Sequence, residues 1–179
     1  MININPTNEQ IKLAKELTEK YNFGNRGRGD GNQRMQEVGI LGQIVFADLF
    51  KMDRPTGESG FDGGFDFVIN GNKVDVKTMS RTVDVKPHYV HNFIGYQLKY
   101  DCSYYIFQSY NTVTNTMCIC GVISKEEFLE KSNYYRKGDK RYRDDGTYFY
   151  SRAPLYEIRQ KNLIEVNSLE EILNIIKEQ

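Results

Sequence analysis

The chain of 179 residues has no tryptophan, only two histidines, four prolines and three cysteines. Cys102, Cys118 and Cys120 are too few and too irregularly spaced for a disulfide framework. Cys118 and Cys120 would fall on one face of a strand, but no second pair completes a structural zinc site. Net charge is also missing, because 24 Lys and Arg balance 24 Asp and Glu. No global basic field therefore marks a polyanion partner, and nucleic-acid binding would have to rest on local patches. No apolar run approaches the roughly 18 residues of a membrane helix, and the N-terminus lacks the charged-then-apolar layout of a signal peptide. The expectation is a cytoplasmic protein with no membrane contact, folded as one domain over residues 1–179. What is plentiful is aromatic: 13 Tyr and 10 Phe, enough for a substantial core and for stacking surfaces.

The stretch Phe65–Lys77 names a chemistry. Asn70-Gly71 between two β-rich runs predicts a two-residue type I′ hairpin, since both residues tolerate positive φ. Such a turn pairs Ile69 with Asn72, Val68 with Lys73, Phe67 with Val74 and Asp66 with Asp75. Alternation then gathers Phe65, Phe67, Ile69, Val74 and Val76 on an apolar face and Asp66, Asp75 and Lys77 on the other. Like charges directly opposite each other destabilise a ladder, which a cation between them would relieve. Mg²⁺, or Mn²⁺ as its substitute, suits this because it takes one or two carboxylates and fills its other positions with water and phosphate. Lys77 would orient or deprotonate a water, or neutralise charge developing on phosphorus. The alternative is a solvated hairpin face with no chemistry.

Asp66 and Asp75-Val76-Lys77, with a helix upstream from about Gln33 to Phe50 that carries the apolar run Val38–Phe50, resemble the PD-(D/E)xK nuclease superfamily over roughly residues 33–125. The resemblance implies an α/β fold with a central mixed sheet flanked by helices, a restriction-endonuclease-like core. It implies a divalent-metal-dependent nuclease acting on DNA. Asp66, Asp75 and Val76 would be the metal set, and Asp66, Asp75 and Lys77 the catalytic residues. Many members carry Glu after the Leu-Gly of this helix; here that residue is Gln43, which brings no charge. Glu37 on the same helix is the second choice, although six residues at 100° put it about 120° from Gln43. A nuclease-like module that binds nucleic acid or protein without cleaving therefore stands as the alternative function. RNA or branched DNA as substrate, and a homodimer, are left open.

Around this core, Thr7-Asn-Glu-Gln10 predicts a capped helix over 7–22, and 25–32 is a Gly-rich loop whose Arg26 and Arg28 either reach phosphates or are simply solvated. Gly39 and Gly42 within the apolar helix suggest close packing on the sheet. Glu58 and Asp62 are loop residues or secondary ligands. Val83-Asp-Val-Lys86 repeats Val74-Asp-Val-Lys77, but Ser80-Arg81 is a weak turn signal, which favours the first copy. His88 and His91 are expected in a loop after Pro87, either as substrate contacts or as bystanders. Runs over 103–110 and 117–123 predict a further hairpin, and Ser124 and Ser168 cap helices. Residues 126–179 read as peripheral. Within them, 134–145 mix Tyr with Arg136, Lys137, Lys140, Arg141 and Arg143, either a nucleic-acid-binding loop or an ordinary solvated hairpin.

Overall fold

The computed structural model describes residues 1–23, 32–58 and 63–177. Strand β1 (Ile2–Ile4) precedes helices α1 (Asn8–Lys20) and α2 (Gln33–Phe50). A hairpin of β2 (Phe67–Ile69) and β3 (Asn72–Arg81) follows, then β4 (Val90–Ile94) and a second hairpin, β5 (Tyr104–Asn111) with β6 (Thr116–Ser124). The remainder comprises α3 (Lys125–Lys131), β7 (Asn133–Tyr135), β8 (Lys140–Tyr142), β9 (Tyr148–Tyr150), β10 (Leu155–Arg159) and α4 (Leu169–Ile175).

The helices start where side chains can satisfy their first N–H groups. Thr7 accepts from the Gln10 amide while the Gln10 side chain accepts from Thr7, a complete capping box. Asn32, Ser124 and Ser168 cap α2, α3 and α4 in the same sense. Each cap contributes on the order of 1 kcal/mol.

A mixed five-stranded sheet in the order β1-β6-β5-β3-β2 forms the centre, with β3 parallel to β5 and every other pairing antiparallel. Strand alternation divides β3 between two layers. Val74 and Val76 pack with Phe46 and Ala47 of α2, with Ile172 of α4, and with Ile106, Ile119 and Val122 of the neighbouring strands. On the opposite face, Tyr105, Phe107 and Ile123 meet Phe93, Phe128 and Ile158. Phe93 and Ile158 belong to a second, three-stranded sheet, β4-β10-β7, that lies over this face. Strands β8 and β9 form a separate two-stranded ribbon. The chain is thus mixed α/β, with α2 and α4 on one side of the central sheet and the small sheet, joined by Phe128 of α3, on the other.

The two glycines of α2 have different reasons to exist. A Cβ on Gly42 would collide with Thr78 Oγ1 of β3 and come within 2.6 Å of Gln108 Oε1 of β5, whereas one on Gly39 would meet nothing within 4 Å. Only Gly42 therefore marks the close approach of helix to sheet that places Gln43 near the hairpin. Gly42→Ala should destabilise by about 1–3 kcal/mol through overpacking, despite the gain in helix propensity. Gly39→Ala should stabilise by up to about 1 kcal/mol. Urea midpoints of the two variants moving in the same direction would contradict this packing.

Candidate active site

The hairpin forms in the expected register, Phe67 with Val74, Val68 with Lys73 and Ile69 with Asn72, through a turn with positive φ at Asn70 and Gly71. It departs from expectation one residue earlier. Asp66 is not opposite Asp75: its N–H donates to Val74 O at 2.9 Å, so Asp66 and Phe67 both lie against Val74 in a bulge-like step. The Asp66 carboxylate takes the place of the next rung. Its Oδ2 accepts from Val76 N–H at 2.7 Å, and its Oδ1 accepts from Gln43 Nε2 at 2.7 Å. Helix α2, the end of β2 and the middle of β3 thus converge on one carboxylate.

Asp75 points to the face opposite Val74 and Val76. It is 5% exposed and forms an ion pair with Lys77, Oδ2 to Nζ at 2.6 Å. The ammonium lies 5.6 Å from the centre of the Phe93 ring, a further attraction for a cation. Tyr105, directly beside Asp75 in the parallel ladder, buries its hydroxyl with no hydrogen-bond partner among the described residues. Burial, with the fields of Cys102 and Asp75 adding to it, pushes that phenol up. The Cys102 thiol is pushed up to about 12, first by burial and then by Asp75, and it also feels Lys77 and Asp66. It remains a thiol that donates to Tyr104 O at 3.0 Å, not a nucleophile. Both aspartates and the lysine lie within the electrostatic reach of this one sulfur.

Other candidates fall elsewhere. Glu37 lies beside Tyr110, whose hydroxyl is pushed up by burial and by the Glu37 charge, so Gln43 is the helix residue at the site. Glu58 is exposed near Lys20, while Asp62, Arg26 and Arg28 lie outside the described residues. Strand β3 runs unbroken through Ser80 and Arg81, so the second Val-Asp-Val-Lys forms no hairpin, and Asp84 accepts from Asn111. His88 is exposed in the loop before β4, but His91 belongs to β4, a correction to the loop expected there. It is buried, with Nε2 against Gln160 Oε1 at 2.8 Å.

The basic cluster is spread over a turn and the ribbon. Arg136 and Lys137 are exposed on the turn after β7. Lys140 rests on the rings of Tyr142 and Tyr148, on the outward face of β8 and β9. Arg141 points inward and is held by Glu157 of β10 at 2.7 Å, whereas Arg143 is exposed and lies over the Phe149 ring.

No family model, curated protein or solved structure matches this chain. What the site can do therefore rests on its own geometry. Among the described residues no three His, Cys, Asp or Glu side chains converge. A cation here would draw on two carboxylates and on neutral oxygens. One is the Val76 carbonyl, which in a strand lies on the same edge as the N–H that Asp66 accepts. Another is the Gln43 amide oxygen, which has no hydrogen-bond partner among the described residues. Hard oxygen donors of this kind fit Mg²⁺.

Two consequences are measurable. Lys77→Met strands the Asp75 carboxylate and should cost about 2–3 kcal/mol, while adding Asp75→Asn recovers more than half of the loss. Strictly additive losses in urea unfolding would mean that the two side chains do not depend on each other. Burial lowers His91 to about 4, so the unfolded chain, near the ordinary His value, takes up a proton first as pH falls. The stability held by neutral His91 is complete above about pH 6.5 and declines toward pH 4, by about 2 kcal/mol between pH 7.5 and 5. His91→Gln should flatten that slope, and an unchanged slope would assign it to other groups.

Proposed function

We propose that this chain is a divalent-metal-dependent nuclease that hydrolyses phosphodiester bonds in DNA. The observation that carries the reading is the Asp66 carboxylate, held at 2.7 Å by both Val76 N–H and Gln43, in the same region as the pair of buried Asp75 with half-buried Lys77. That combination of acidic residues, strand edge and lysine is the one the PD-(D/E)xK resemblance implies. Asp66, Asp75 and the Val76 carbonyl would hold Mg²⁺. When bound, the metal supplies positive charge against the phosphate and makes water more acidic. Lys77, fixed by Asp75, orients the attacking water and stabilises charge on the phosphoryl oxygens. The water oxygen bonds to phosphorus as the opposite P–O ester bond breaks; the proton that the water gives up passes to solvent, and the departing alkoxide takes one from solvent to leave as a hydroxyl. Three free cysteines accord with a reducing cytoplasm as the place of action.

A second reading is a module of this fold that binds without cleaving. Gln43 favours it, since it brings no charge and already spends its N–H on Asp66.

A cleavage panel of single-stranded, duplex and branched DNA and of RNA, with Mg²⁺ or Mn²⁺, separates the two. Cleavage should fall roughly 10²- to 10⁴-fold in Lys77→Ala and vanish in Asp75→Ala, with the fold retained. Equal cleavage by wild type and both variants would remove the active site from this hairpin. No cleavage, and no rise in melting temperature at millimolar metal, would favour the binding module.

A further inference from the structure

Beyond the hairpin, the same face of β3 leads into a second feature. Side chains alternate along a strand, so Asp75, Lys77, Met79 and Arg81 share one face, with Lys77 and Arg81 about 13 Å apart. Met79 and Arg81 line a cleft of about 390 Å³, closed by His88 and Tyr89 before β4, by Asn92 on β4 and by the inward face of the ribbon. The ribbon register explains this last wall. Arg141 pairs with Phe149, and both face inward, while Lys140, Tyr142, Tyr148 and Tyr150 face outward.

Charge and ring chemistry in the cleft point to one class of ligand. Three guanidinium groups line it against the carboxylates of Glu157 and Asp144. Arg141 is already neutralised by Glu157, a pair whose side chains are 11% and 3% exposed. Neither Arg81 nor Arg143 forms an ion pair within 4 Å among the described residues, although the Arg143 charge is felt by the Asp145 carboxyl. Arg81 donates through Nη2 to Val90 O at 2.7 Å, but its buried Nε has no partner, and burial lowers its pKa. A half-buried cation without a counter-ion is costly unless an anion completes it. Both guanidinium groups also lie over aromatic rings, Arg81 at 5.2 Å from the Tyr89 centroid and Arg143 at 5.1 Å from that of Phe149. Such planes accept a stacked base, and arginine forks fit phosphate. The exposed amide of Asn92 can pair with a base edge.

We propose that this cleft binds one nucleotide of the substrate strand, flanking the bond to be cut, with its phosphate on Arg81 and Arg143 and its base against the arginine-covered aromatic wall. The substrate in this statement rests on the nuclease reading; the cleft itself does not. A strand whose scissile phosphate lies at Lys77 would pass along β3 into the cleft, so the cleft sets its direction.

The test uses the full chain in EDTA, where metal-dependent cleavage cannot run. Titration with a 5′-phosphorylated single-stranded octadeoxynucleotide should shift the backbone amide resonances of Tyr89, Val90, Asn92 and Phe149, while an unphosphorylated nucleoside should not. Arg143→Ala, an exposed change, should weaken oligonucleotide binding about five- to tenfold and lower the salt slope by about 1. Lys12→Ala on α1, which removes the same charge elsewhere, should change neither. Resonance shifts confined to other residues, or an unchanged slope in Arg143→Ala, overturn the proposal. Inorganic phosphate binding as tightly as the oligonucleotide would make this a simple anion site, and a free deoxynucleotide binding as tightly would make it a mononucleotide site; either defeats the strand assignment. Cleft binding without any cleavage in Mg²⁺ would sink the nuclease reading and leave the cleft. Cleavage with an unchanged KM in Arg143→Ala would do the reverse.

Discussion

The N–H of Val76 is the group around which the site is arranged. Ser103 N–H donates to Lys73 O and Thr112 N–H to Arg81 O, so the odd-numbered residues of β3 turn their backbone toward β5. Even-numbered residues turn to the other edge. Strand β2 is only three residues long and covers β3 as far as Val74, which leaves Val76 as the first even position with no strand beside it. Val76 is buried, and an unsatisfied buried N–H costs on the order of 1–3 kcal/mol. A side chain has to supply the acceptor, because the chain before β2 has already turned away through Gly63 and Gly64, both at positive φ. Asp66 supplies it. The same bond that ends the sheet edge therefore fixes the direction of a carboxylate, and Gln43 fixes its second oxygen.

Asp75 and Lys77 obey a different constraint. A buried ion pair is a poor way to gain stability, since desolvation offsets most of its attraction. The Tyr105 hydroxyl beside it, buried with no partner among the described residues, adds a further cost. Apolar residues at these three positions would extend the layer of Phe93, Phe107 and Phe128 without interruption. A folding argument alone does not account for charge here. It is this excess of polarity over what packing requires, more than the motif itself, that directs attention to the site.

Sequence patterns reached the features that depend on neighbours along the chain. The Asn70-Gly71 turn, the Ser124 and Ser168 caps and the span of α2 were legible because each is set by a few adjacent residues. What escaped was set by distant partners. Alternation carried the hairpin register back to an Asp66–Asp75 pair, but β2 begins only at Phe67, and the demand of Val76 for an acceptor drew Asp66 out of the ladder. Nothing local placed β3 parallel to β5, so Tyr105 as the neighbour of Asp75 carried no signal. The second sheet was hidden for the same reason: β4 and β10 are joined only by long-range pairing, and His91, shortly after Pro87 and next to Asn92, reads locally as loop. Arg141 looked like its basic neighbours in sequence, and only ribbon register and Glu157 turn it inward.

Gln43 acquires a physical role once the Asp66 hydrogen bonds are known. A glutamate at this position has no N–H to offer, and its charge would oppose the Asp66 carboxylate. The glutamine amide donates instead, alongside the Val76 N–H, so Asp66 accepts from two donors of the chain itself. Asp75 is likewise satisfied by Lys77. Each carboxylate therefore has its own partner within the chain. Under the nuclease reading this arrangement shifts work to the substrate. A cation must compete with an amide, a backbone N–H and an ammonium for its two charged ligands, and it gains only neutral oxygens in return. Phosphate alters that balance, because it brings further oxygen ligands for the metal and an anion for Lys77. Metal and nucleic acid would then bind with positive coupling, each lowering the cost of releasing the existing hydrogen bonds for the other.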